Sequence, residues 1–377
     1  MAELRTAGDG QEGSLAREKT WQRYIKEIPP DGYFFLPSCV LGAMYPAAEA
    51  MIPRLFDLLD LDWECNLGPG AMCTCCTGMS YHGDICTIES TLLVVARLWS
   101  LAQQAGFDTI ATACVTSFGI HCECVELYRN EPGLKKKIDR LLRQACNREF
   151  DIPRHIVHVS DIVYRHRVRL GRDFMSYALV DAKTGRPLRV VDQVGCHYSK
   201  LFPDERSLGG ADYCQVLVGL IQDWGGEAID YPERRHCCGM GFRHSIITPN
   251  RGYTAACVGK KMASMEPFAP DLILTNCPGC QVHMDKQQWA LKELTQREYY
   301  VPVLTYTELA GLLLGWDPYD IVGIQFHTVP VEPLLDKIGI PHDRRESWLD
   351  RNGQPLPCPD EIVRATEEDS RGDGELP

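Results

Sequence analysis

The feature that most constrains this chain is the run Cys237-Cys238-Gly239, taken with Cys196 upstream and Cys277-Pro278-Gly279-Cys280 downstream. Side chains of adjacent residues diverge, so neighbouring thiolates fit poorly on one tetrahedral ion, and zinc sites space their paired cysteines by two or more residues. A larger inorganic core accepts both, because each thiolate then meets a different iron, and iron–sulfur clusters gather thiolates from separated loops. Asp271 to Asn276 reads as a buried strand, and Cys277-Pro-Gly-Cys280 as the turn that opens the next helix. The free N–H groups of that turn face whatever the cysteines hold and favour negative charge there. The competing reading is a run of buried free thiols, which behave as small hydrophobes.

The pattern has an earlier echo. Cys39 follows the strand-like Tyr33-Phe34-Phe35-Leu36, Cys75-Cys76 form a second doublet, and Cys114 follows Asp108 to Ala113. Cys39 precedes Cys196 by 157 positions, Cys75 precedes Cys237 by 162, and Cys114 precedes Cys277 by 163. Near-equal offsets point to one ligand-bearing unit used twice. Where the second unit has Cys280, the first has Ser117. The recurring order of strand, cysteine and helix predicts an α/β fold with ligands at the carboxyl ends of strands. The expected organisation is an N-terminal arm over 1–30, a first cysteine-rich domain over 31–150, a connector over 151–185, a second cysteine-rich domain over 186–340 and a polar tail over 341–377. Within these, helices are expected over Pro46–Asp60, Thr87–Ala105, Gly133–Gln144, Ala211–Trp224, Tyr253–Met265 and Thr307–Leu314. Val301 to Leu304 reads as an edge strand.

Composition narrows the function. A net charge of −12 argues against a nucleic-acid or anionic-membrane surface. No apolar run is long enough to span a bilayer, and Met1 to Thr20 lacks the apolar centre of a signal peptide. Eighteen cysteines without an export signal favour metal or redox chemistry in a reducing compartment, so the expected location is the cytoplasm.

With these residues in view, the chain resembles the B subunit of heterodisulfide reductase from about Tyr33 to Ile340, including the closing Phe326-His327-Thr328-Val329-Pro330-Val331. The resemblance implies two similar CCG domains, each with a noncubane [4Fe-4S] cluster, facing a shared cavity where a disulfide is cleaved or a thiol oxidised. By position it implies that Cys196, Cys237, Cys238, Cys277 and Cys280 hold one cluster, and that Cys39, Cys75, Cys76 and Cys114 hold the other. Ser117 stands in place of the fifth thiolate. A serine oxygen is a harder ligand than a thiolate, so Ser117 either ligates as an alkoxide, leaves an iron open to substrate, or is replaced by Cys73, Cys86, Cys122 or Cys124. The implied partners are a ferredoxin-like iron–sulfur protein, the C component of such a complex, and a flavoprotein, its A component. The implied substrate is a thiol or disulfide, in one variant bound to lipoate. The bacterial sulfur-oxidising branch and the methanogen coenzyme B–coenzyme M enzyme both fit. So does an electron-relay or scaffold role with only the second cluster, or zinc in the first site.

Catalytic candidates beside the cysteines are His236, His197, Arg243 and Ser117. Either histidine could protonate a product thiolate or hydrogen-bond a cluster sulfur, since histidine titrates near neutrality; a purely structural role is the alternative. Arg243-His244 could meet an anionic substrate tail, or form a surface ion pair. His327 reads as structural, and Cys146, Cys214, Cys257 and Cys358 as plain thiols.

Overall fold

In a computed structural model the described residues are 28–65, 76–82, 85–200, 214–241 and 252–343. They form two four-stranded sheets, both parallel throughout. The first sheet runs β2 (Trp63–Glu64), β1 (Tyr33–Leu36), β3 (Thr109–Thr112), β4 (His155–His158). The second runs β6 (Glu227–Ile229), β5 (Arg189–Gln193), β7 (Leu272–Thr275), β8 (Val303–Thr305). Both orders read second, first, third, fourth strand, so the duplication seen in the cysteine spacing is a duplication of topology. The fold is α/β, built of two similar units.

Strand chemistry explains this layering. Tyr33-Phe-Phe-Leu36, Thr109-Ile-Ala-Thr112 and Leu272-Ile-Leu-Thr275 are buried at every residue, as parallel strands covered on both faces must be. Helices fill the crossovers and begin at good caps. The Thr87 hydroxyl accepts the Ser90 N–H ahead of helix Ile88–Gln104, and Thr305 and Glu308 form a capping box ahead of helix Tyr306–Leu313. The expected helices are present: Pro46–Leu58, Pro132–Cys146, Gly252–Met265 and Val216–Asp223, the last with its expected start outside the described residues. Cys39 opens a short helix, Cys39–Met44, because the Ser38 hydroxyl accepts the Leu41 N–H. The basic run on helix Pro132–Cys146 pairs locally, Lys135 with Asp139 and Lys137 with Glu89. The region read as a connector over 151–185 contains β4, which hydrogen-bonds to β3 and completes the first sheet. Only Ile156 and Val157 are apolar in it, between His155 and His158, too little of an apolar run to signal a strand. The arm over 1–27 and the tail from 344 lie outside the described residues. Among the described residues no helix is long and apolar enough to cross a membrane.

The units pack by exchanging equivalent contacts. Helix Val115–Asn130 of the first rests on the Cys196–Ser199 turn of the second, and helix Pro278–Thr295 of the second rests on Cys39–Met44 of the first. Buried polar bonds lock the seam. Tyr45 donates to Asp285 at 2.8 Å, and Tyr198 donates to Asp161. Thr307 donates to the Ala48 carbonyl at 3.2 Å. Asp285 also accepts the backbone N–H groups of Thr328 and Val329. That is the structural role of the closing segment, in which His327 stacks near Tyr45 and meets Glu308 at 3.1 Å.

Candidate metal centre

In each sheet the first and third strands lie side by side while the chain leaves them in opposite directions. Such a switch point opens a crevice at the carboxyl ends of those strands. Cys39 and Cys196 come three residues after β1 and β5, and Cys114 and Cys277 two residues after β3 and β7. The repeat therefore places equivalent cysteines at equivalent crevices.

In the second unit all five expected cysteines meet. Cys196 lies beside Cys237, Cys237 beside Cys238, Cys238 beside Cys280 and Cys280 beside Cys277, each close enough to shift the titration of the next. The neighbouring sulfurs shift one another in opposite directions. Cys196, with Cys238 and the Gly239 N–H, draws the Cys237 thiol far below its usual range. Cys277 is drawn down by Cys280 and by the N–H groups of its helix. Cys196, Cys238 and Cys280 are pushed up by their sulfur neighbours and by burial. Backbone donors hold the sulfurs: Gly239 N–H reaches Cys237 at 3.3 Å, and Cys280 N–H reaches Cys277 at 3.3 Å. Gly239 has φ of +92°, and a Cβ there would lie 3.0 Å from the Thr254 carbonyl and 3.1 Å from Cys257. Both the backbone turn and the close approach demand glycine after the doublet.

The first unit repeats the plan with fewer sulfurs. Cys114 stands at the N-cap of helix Val115–Asn130, as Cys277 does at the start of helix Pro278–Thr295, but only the Cys277 sulfur accepts a cap hydrogen bond, from the Cys280 N–H. Burial, with the nearby Cys277, pushes the Cys114 thiol up to about 11. Ser117 is buried at the first turn. Cys76 is buried and accepts the Gly78 N–H at 3.4 Å. Thr77, with φ of +58°, stands where the second unit has Gly239. Cys39 is exposed, and Cys75 lies outside the described residues, as do Cys73, Arg243, His244 and Cys358. Among the spare cysteines, Cys122 and Cys124 are buried within helix Val115–Asn130, and Cys86 meets the Thr91 hydroxyl.

The two sets share the seam. Gly195, next to Cys196, is so close to Val115 and Cys277 that an added Cβ would fall 2.6 and 2.8 Å from their side chains. The His197 ring bonds Thr116 of the first unit at 3.2 Å and stacks on His82 at 4.5 Å. Burial holds His197 down to about 4, hence neutral. His236 pairs with Glu233 at 3.4 Å and lines a crevice with Cys196, Cys237, Cys280, Lys200 and Arg235.

Several participants are not apparent from sequence. Gln193 donates to Cys280 at 3.6 Å. Asp192 and Arg234 form a bidentate pair at 2.5 and 3.1 Å with side chains 2% and 10% exposed. Lys261 is fully buried beside the doublet's loop. Their signals are faint but present: Asp192-Gln193 break the apolar run of β5, and Lys261 shares a helix face with Val258, Met262 and Met265.

Similarity to known proteins agrees with this geometry. The family model described as a cysteine-rich domain, CCG, matches residues 190–285. The chain is 25% identical over 319 residues to the B subunit of the Ferredoxin:CoB-CoM heterodisulfide reductase of Methanosarcina acetivorans, covering 84% of this chain and 99% of that protein. It is 25% identical over 310 residues to a protein of Archaeoglobus profundus that is itself like the heterodisulfide reductase B subunit, covering 81% and 97%. It is 22% identical to the membrane anchor subunit of the 8-methylmenaquinol:fumarate reductase of Wolinella succinogenes, covering 80% and 98%. Among solved structures, a hypothetical protein from Helicobacter pylori shares the fold with a TM-score of 0.56 at 11% identity, over 86% of this chain and 61% of that one. The second unit is thus a CCG cysteine-rich domain. The chain as a whole is similar to heterodisulfide reductase B subunits over most of its length.

Proposed function

We propose that this chain is the iron–sulfur subunit of a heterodisulfide reductase-like complex, working on a disulfide or thiol held between its two cysteine sets. The observation that carries the reading is the convergence of Cys196, Cys237, Cys238, Cys277 and Cys280, with backbone and Gln193 donors on their sulfurs, at a parallel-sheet switch point. Five thiols with converging N–H donors suit a polynuclear thiolate-bound group, and the adjacent pair Cys237-Cys238 suits the noncubane type. Seating such a core requires the touching sulfurs to turn outward. Cys39, Cys75, Cys76 and Cys114 would hold the other cluster, in the first unit. When bound, iron–sulfur clusters supply single electrons, and opening one S–S bond to two thiols takes two electrons and two protons.

The residues do the rest. Gly239, Cys280 and Gln193 fix the sulfurs by hydrogen bonds, and the seam at Gly195, Val115 and His197 sets the Cys277 turn against the helix that follows Cys114. His236, at the crevice wall, is the candidate to pass a proton to a product thiolate. No nicotinamide or flavin fingerprint occurs in the sequence. Electrons would therefore pass between this chain, a ferredoxin-like iron–sulfur protein and a flavoprotein, the C and A components of such a complex, in the cytoplasm. Thiol oxidation in sulfur metabolism and reduction of a coenzyme B–coenzyme M type disulfide are the two directions that this site serves.

Iron, acid-labile sulfide and zinc measured per chain after anaerobic reconstitution test the reading. About eight irons are expected; about four without zinc would favour the relay role that Ser117 suggests, and four with one zinc a structural zinc in the first unit. Cys237→Ser should lose about four irons; unchanged iron content would overturn the assignment.

A further inference from the structure

Beneath the Cys237-Cys238 doublet lies a cation that the chemistry above does not use. Lys261, on helix Gly252–Met265, has no exposed surface. Its ammonium donates to the carbonyls of Glu233 at 2.6 Å, Arg234 at 3.3 Å and His236 at 2.9 Å, and sits 5.2 Å from the Tyr231 ring centroid. Those carbonyls belong to the turn Tyr231 to His236 that delivers the chain into Cys237. The neighbouring carboxylates are engaged elsewhere: Asp192 pairs with Arg234 at 2.5 Å, and Glu233 with Lys260 at 3.0 Å. Charge buried without a paired carboxylate is costly and marks a place where it does something. The first unit differs here. At the repeat-equivalent place on helix Ile88–Gln104 stand Leu98 and Trp99, both buried and apolar.

We propose that Lys261 is a positioning residue which holds the Cys237 loop and places a fixed positive charge under the second thiolate set, so that the two sets differ in redox poise. This rests on the iron–sulfur reading above. Three carbonyls fix the ammonium, so it cannot swing out to water. A positive charge in a low-dielectric interior favours whichever state carries more negative charge, here the reduced one. The second set would then be the more easily reduced of the two.

The test uses full-length protein, reconstituted anaerobically, with potentials followed by visible absorption and electron paramagnetic resonance. In Lys261→Met the second cluster should titrate at a more negative potential, by at least about tenfold in its oxidised-to-reduced ratio, or about 59 mV for one electron. The first cluster should be unmoved, and Lys261→Arg should restore the wild-type potential. If Lys261→Met fails to keep its second cluster, retention in Lys261→Arg supports the proposal. A potential unchanged in Lys261→Met overturns it, and so does a Lys261→Arg protein that shifts, or loses the cluster, as far as Lys261→Met. Wild-type protein that takes up no iron would instead defeat the underlying iron–sulfur reading.

Discussion

Ser117 and Cys280 occupy equivalent places in the first turn of their helices, three residues after the cysteine at the N-cap. They differ in one atom, and that atom decides how many thiolates each unit offers. A neutral serine oxygen contributes little beside soft sulfur ligands, so Ser117→Ala is expected to leave iron content unchanged. Ser117→Cys should add a fifth thiolate and suppress turnover. An alanine variant that loses iron, beside a fully active cysteine variant, would make the serine a true ligand. Asp161 makes a second prediction. Burial pushes its carboxyl up to about 7, against hydrogen bonds from Tyr198 and the His158 N–H that favour the ionised form. With the folded value above the unfolded one, its contribution to stability is complete below about pH 4 and is lost as pH rises toward 7, by up to about 1.4 kcal/mol per pH unit. The advantage of wild type over Asp161→Asn should therefore shrink between pH 4 and 7 and level off above, as read by urea unfolding. A constant difference would show that Asp161 stays ionised when folded.

At the scale of elements, two contacts set how closely loops approach the sheets. Gly195 lets the Cys196 turn lie against helix Val115–Asn130 and against Cys277, whose Cβ is fixed to the backbone. Gly195→Ala forces overpacking, which costs about 1–3 kcal/mol. Its unfolding midpoint should fall, and it should load less iron into the second set. Arg234 and Asp192 tie the Cys237 loop to β5 from the other side. Arg234→Met leaves Asp192 buried and unpaired, at about 3–5 kcal/mol. Chemical denaturation measures it, and a loss below about 1 kcal/mol would mean that water reaches Asp192.

For the whole molecule, the seam matters more than either sheet alone. Tyr45 to Asp285, Tyr198 to Asp161 and Thr307 to Ala48 all cross between units and are buried. Breaking the seam would strand these groups without partners. The two units should unfold in one calorimetric transition; two separable transitions would show that the seam adds little. The acidic chain, at −12, suits a partner with a basic face.

How much of this is legible in the sequence follows from the range of the forces involved. The cysteine spacing, the repeat and the period of apolar residues are local, so the sequence alone determined the α/β units, most helices and which cysteine follows which strand. β4 was not legible, because His155 to His158 holds only two apolar residues and gains its identity only from hydrogen bonds to β3. Lys261 and the Asp192–Arg234 pair were hidden for a related reason. A charge in a sequence looks solvated until the packing around it is known, and only the tertiary structure buries these beneath the doublet. The approach of the Cys196 and Cys277 turns to the start of the first unit's cysteine-capped helix was likewise decided by packing: Gly195, Val115 and Cys277 lie far apart along the chain and touch only because the units exchange equivalent faces.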